Sequence, residues 1–247
     1  MKRMSIVGLC LFAVLAMSAV MVSSAVAAPP DFGRCQAKTG GKFSDSGCTK
    51  SSAKGKFEWT TTIAKNKFSA SSSTLSTLET VGGTKITCKA EKNSGAEYTG
   101  EKTVGKIVAE FSGCETSKIA CNSTGKGSGE ITTFALKGAL GVETPPTKLE
   151  AQLTPEAGLL LAEFTCSTIH VEVKGCVAHP VTSDKMLTSS SEKFTASKGE
   201  QKPDKFSGGG ADECALSSNS GTGFEEAGQT ITATVVNEEG IEANAIT

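Results

Sequence analysis

A serine-hydrolase mechanism needs a histidine base within hydrogen-bond reach of its nucleophile, and the chain has only two, His170 and His179. His179-Pro180 with Asp184 nearby offers part of such an arrangement. His170, however, alternates with Val171 and Val173 in a strand-like run. His179 precedes a proline in an expected loop, and no G-x-S-x-G occurs. Glycoside hydrolysis needs two carboxylates about 5–10 Å apart. Glu225-Glu226 and Glu238-Glu239 are adjacent, so in a strand each pair points to opposite faces. Glu163 and Glu172 lie in strand-like runs with no motif around them. Sugar platforms also use aromatics, and Trp59 and Tyr98 are the only ones besides phenylalanines. The sequence assigns no catalytic residue.

Cysteine chemistry is better represented. Lys2-Arg3, an apolar run from Ile6 to Val22 and the small residues Ala25-Val26-Ala27 have the layout of a secretory signal peptide over 1–27. The chain then meets a membrane only through that segment during export. Cys10 leaves with it, and eight cysteines stay. An even set in an exported chain reads as four disulfides, with no thiol left as a nucleophile. Cys35 with Cys48, and Cys114 with Cys121, each bracket a short loop and are expected to pair. Cys88 with Cys166 and Cys176 with Cys214 take the strand-like remainder. No C-x-x-C occurs and neither histidine has ligand spacing to a cysteine pair, so neither a metal site nor a cofactor is expected.

Two glycine patterns mimic phosphate cradles. Gly95 to Gly100 is followed by Glu101 where a phosphate loop needs lysine, and a carboxylate there repels phosphate. Gly125-Lys-Gly-Ser-Gly129 reads as a loop. Lys54, Lys56 and Trp59 form an aromatic–basic cluster that would contact cell-wall or extracellular polysaccharide. The competing reading turns Phe57 and Trp59 inward as core and leaves the lysines in water.

The elements that must position these groups are strands. The chain has 247 residues, 38% of them hydrophobic and 5% aromatic, with a formal net charge of −1. Without residues 1–27, 23 basic and 26 acidic side chains remain, a net −3, and Arg34 is the only arginine. A near-neutral, lysine-based surface makes nucleic acid an unexpected partner. Ser, Thr and Gly are abundant and no window holds a capped 3.6-residue period. Short strand-like runs recur instead, two of them flanking Gly82-Gly83, a two-residue hairpin turn. In Gln229–Val236, Ile231, Ala233 and Val235 alternate with threonines, the period of a half-buried strand. The expected fold is all-β, an antiparallel sandwich or barrel stapled by disulfides, with few or no helices. Residues 28–55 read as an irregular N-terminal segment and 56–247 as the β domain. A weak echo of Lys85-Ile-Thr-Cys88 in Glu163-Phe-Thr-Cys166 suggests two related halves, about 56–145 and 146–247.

Charge is uneven. Residues 34–68 carry a net +6 and residues 211–247 a net −7. Such ends either form an interaction surface or pack together and neutralise each other.

Phrases along the chain also carry a resemblance. PDFGRC from Pro30, LETVGGTKITCKAE from Leu78, YTGEKTVGKIVAEFSGCE from Tyr98, KGEQKPDKFSGG from Lys198 and FEEAGQTITATVVNEE from Phe224 resemble a family of uncharacterised exported proteins of soil actinobacteria, of the Solirubrobacterales type. The resemblance implies bacterial origin and export, and brings no catalytic residue. In that pattern Cys176 and Cys214 are not typical positions, which implies that they pair with each other.

The sequence thus points to a secreted or cell-surface protein, a non-catalytic binding or structural β module. A secreted hydrolase acting on polysaccharide or ester is the alternative. A carrier of a small apolar ligand is the second alternative, and would show itself by an apolar cavity inside a barrel.

Overall fold

The computed structural model describes residues 30–143, 148–183, 185–208 and 213–244. The expected signal peptide and Asp184 lie outside them. Every regular element among the described residues is a β-strand.

The strands form two rings of eight that share one strand. The lower ring runs β4 (Ser76–Thr80), β5 (Lys85–Cys88), β9 (Glu115–Thr116), β10 (Ile119–Asn122), β14 (Leu160–Cys166), β15 (Ile169–Gly175), β20 (Leu216–Asn219) and the first part of β21 (Phe224–Asn244). Each is antiparallel to the next, and β21 pairs back onto β4. The ring is a closed antiparallel barrel with no free edge. The upper ring runs β3 (Lys67–Ser72), β6 (Ala90–Gly100), β7 (Thr103–Ile107), β12 (Leu136–Glu143), β13 (Leu149–Pro155), β16 (Val177–Pro180), β17 (Leu187–Ser197) and the second part of β21. Among the described residues no ladder joins β16 to β17, so a seam remains there.

The smaller strands support these rings. β8 (Ala109–Ser112) continues β7 along β6, and β11 (Ile131–Thr132) pairs with β8. β18 (Glu200–Lys202) pairs with the end of β17, and β19 (Phe206–Ser207) with the end of β12.

Residues 28–55, expected to be irregular, instead contribute β1 (Asp31–Phe43) and the start of β2 (Ser51–Thr60). The reason is pairing. β1 lies against β2 and also against the last residues of β21, with Asp31 opposite Asn244. The basic and acidic ends of the chain therefore meet, and Arg34 Nη1 stands 2.7 Å from Glu239 Oε2.

The path of the chain repeats. With β7 and β8 counted as one strand, residues 67–143 visit the rings in the order upper, lower, lower, upper, upper, lower, lower, upper. Residues 149–244 do the same, from β13 through β17 and β20 to both parts of β21. Each ring takes four strands from each half, and in each ring the four strands of a half are consecutive neighbours. The missing β16–β17 ladder is the counterpart of the β6–β7 ladder.

Four disulfides fasten this arrangement. Cys35–Cys48 and Cys176–Cys214 match the sequence expectation. The other two correct it, for Cys88 bonds Cys114 and Cys121 bonds Cys166. Spacing favoured Cys114 with Cys121 because they bracket a hairpin, and their backbones do meet, Cys121 N–H donating to the Cys114 carbonyl at 3.0 Å. Ring closure adds a neighbour on each side that spacing cannot count. β5 brings Cys88 to a Cα distance of 3.9 Å from Cys114, and the β10–β14 register puts Cys166 opposite Cys121. Under the repeat, Cys88–Cys114 corresponds to Cys176–Cys214: each joins the turn between two ring strands to the start of the next lower strand.

Candidate functional site

An eight-stranded barrel has an interior just wide enough to be filled by side chains or to hold one small ligand. Here alternation turns Leu78, Ile86, Phe164, Val173, Phe194 and Ile231 inward from both rings. They do not fill the space. A cavity of about 150 Å³ stays open where the rings join, and its wall is mostly apolar. A second compartment of about 100 Å³ lies in the upper ring, bordered by Phe32, Phe68, Tyr98, His179 and Asn237. The two share Asn93 and Glu192 in their walls.

Most polar groups in these walls are occupied by the fold. β3 has an irregularity between Phe68 and Ala70, and the freed Ala70 N–H donates to Asn93 Oδ1 at 3.1 Å. Tyr98 O–H and Asn237 Oδ1 are 3.0 Å apart. Gln229 donates its amide to Ser76. Burial, then the charge of Glu192, raises the Tyr98 phenol above its ordinary range.

The other ionisable side chains in these walls, among the described residues, are Glu91, Glu192 and His179. Glu91 projects inward from β6, is 7% exposed, and its Oε2 has no hydrogen-bond partner. Burial, then the charge of Glu192, pushes its carboxyl up to about 7. Glu192 comes from β17. His179 comes from β16, where it is buried, and does not sit in the loop expected from Pro180. Its Nδ1 is 3.1 Å from the Pro180 carbonyl, its Nε2 is 3.6 Å from Glu192 Oε2, and its ring lies on Phe194 at 4.7 Å. His179 and Glu192 thus bridge the seam between β16 and β17. The repeat relates two of the three groups, since Cys88-Lys-Ala-Glu91 and Cys176-Val-Ala-His179 enter the upper ring at corresponding points.

The other residues singled out in the sequence do not converge. On β2, Lys54 and Lys56 are exposed, while Trp59, an odd number of places from Lys56, is half-buried against β1. His170 is exposed on β15 beside Glu163, at 3.6 Å. Glu163 and Glu172 face each other across β14 and β15. Glu225 accepts a hydrogen bond from the Gly82 N–H, and Glu239 holds Arg34. All eight cysteines among the described residues are in disulfides. No group of three or more metal-ligating side chains occurs among the described residues.

Sequence reasoning missed Glu91 and Glu192 because neither lies in a motif. Their signal is topological: a carboxylate at an inward position of a barrel strand. Compared with known protein families, curated proteins and solved structures, the chain finds no match.

Proposed function

We propose that this chain is a non-catalytic binding module that holds a small apolar molecule inside its barrel. The observation that carries this reading is the apolar cavity of about 150 Å³ between the rings. A cavity of that order lined by Leu, Ile and Phe stays dry and accepts a single aromatic ring. Apolar cavities are destabilising when empty, so a ligand that fills one stabilises the fold. The four disulfides fit an oxidising compartment, and export to the cell surface or beyond goes with them. Contact with polysaccharide through Lys54, Lys56 and Trp59 draws no support, because those side chains face apart.

The test is a thermal-unfolding titration of the oxidised protein with toluene, together with nuclear magnetic resonance of xenon. Toluene should raise the midpoint in a saturable way, and xenon should report an enclosed apolar environment. Ala162→Leu, which fills the cavity from β14, should abolish both effects. Absence of both effects in the wild-type protein would refute the reading.

A further inference from the structure

We propose that the barrel selects a small organic amine, its apolar body in the cavity between the rings and its ammonium group at Glu91 and Glu192. This rests on the interior site proposed above and names the ligand class.

The first observation is Glu91 itself. It is more than nine-tenths buried, it lines the cavity, and one of its carboxylate oxygens has no partner. An unpaired buried carboxylate is unfavourable and normally meets a cation or a donor. The second observation is the charge of the walls. Among the described residues, Glu91 and Glu192 are the acidic ones lining the two compartments, and His179 is the only basic one. Two carboxylates thus stand against one imidazole in these walls, and among the described residues no lysine or arginine lines them.

The third observation is what else the site can take. Asn93, Tyr98 and Gln229 are already hydrogen-bonded within the fold. A hard metal cation wants six or more oxygens, and this wall offers two carboxylates amid hydrocarbon. A cation that brings its own apolar body suits both halves of the site. A carboxylate or phosphate ligand is excluded by the same two charges. The cavity volume holds about one ring or a short branched chain. The seam between β16 and β17 passes beside Glu192 and His179, and there the wall is closed by side chains without a backbone ladder.

The experiment compares benzylamine, benzyl alcohol and toluene, which share a ring and differ in the head group. Each is titrated calorimetrically into the oxidised protein at pH 8. Benzylamine should bind at least tenfold more tightly than toluene, with benzyl alcohol between them. In Glu91→Gln and in Glu192→Gln the preference for benzylamine should fall to threefold or less while toluene affinity is kept. Equal binding of all three ligands to the wild-type protein would overturn the amine assignment and leave the interior site standing. Binding of none would overturn both. A preference for benzylamine that survives in both variants would place the ammonium elsewhere and also overturn the proposal. The wild-type comparison decides the charge preference even where a variant fails to fold.

Discussion

Glu91→Gln tests the interior directly, through stability and without a ligand. In the folded protein, burial and the Glu192 charge lift the Glu91 carboxyl from its ordinary 4.5 to about 7. Between those values the folded chain holds a proton that the unfolded chain has released. Stability is therefore greatest at low pH and falls as pH rises through the window from 4.5 to 7. Each unit of difference is worth about 1.4 kcal/mol, so between pH 5 and pH 8 Glu91 removes about 2–3 kcal/mol. Glu150 acts in the same direction, lifted to about 7 by burial and then by Glu143. Asp45 acts oppositely: burial raises its carboxyl, but the hydrogen bonds it accepts from Thr49 and Lys50 together outweigh that and hold it down at about 2, and its window lies below pH 4. Groups common to both proteins cancel in the comparison, so the informative quantity is the difference between wild type and variant. Urea unfolding with the disulfides intact, at pH 5 and pH 8 and constant ionic strength, measures it. Glu91→Gln should match wild type at pH 5 to within about 1 kcal/mol and exceed it by about 2 kcal/mol at pH 8. Equal pH slopes in the two proteins would refute the placement of an ionisable, unpartnered Glu91 inside the barrel.

Other expectations follow from the pairing and the packing. Proteolysis without reduction should release peptides joining Cys88 to Cys114 and Cys121 to Cys166, and a Cys114–Cys121 or Cys88–Cys166 peptide would contradict the ring order. Replacing Cys176 and Cys214 by alanine should cost about 2–4 kcal/mol, read by urea midpoint, with the corresponding Cys88–Cys114 bond unchanged in the peptide map. Gly33→Ala puts a Cβ 2.6 Å from Trp59 Cζ2 and 2.5 Å from the Thr60 carbonyl oxygen. It should destabilise by about 1–3 kcal/mol and shift the emission of the single tryptophan to the red, and an unchanged spectrum would mean that β1 does not lie on Trp59.

The all-β class and the strongest strands were legible because their alternation is undisturbed. β21 is the clearest case: Ile231, Ala233 and Val235 are buried while Thr234 and Val236 are exposed. The Gly82-Gly83 hairpin was legible too, since Gly83 takes φ of +87° between β4 and β5. β6 was not, and the reason is the site. Its inward positions hold Glu91 and Asn93, so the strand reads as a polar stretch with a turn-like Asn-Ser-Gly. β1 hid differently. Its Gly40-Gly41 and lysines suggest a loop, yet Gly41 and Gly55 are opposite each other in the β1–β2 pair and lie tightly against backbone. A side chain at either would collide, so the glycines that signal a loop in sequence are what let these two strands close. The disulfides show the same limit. Local spacing sees a hairpin, whereas the bonds run to neighbours that only ring closure supplies.

The repeat explains why the polar groups gather where they do. In the first half, β6 continues past Glu91 to pair with β7, Tyr98 opposite Val104. In the second half the corresponding strand stops at Pro180, which has no N–H to offer a ladder. β17 is then left with an edge from Leu187 to Phe194, and only its last residues are covered by β18. An unpaired edge invites another strand and needs closing. Here it is closed by side chains: the His179 ring on Phe194, and its Nε2 toward Glu192. Backbone hydrogen bonds would have sealed the wall with no requirement on side-chain charge. Closing it with an imidazole and a carboxylate brings charge to the inner surface, next to the one inward carboxylate of the first half. Among the described residues, the break in the repeat and the charged groups of the inner wall are thus one feature.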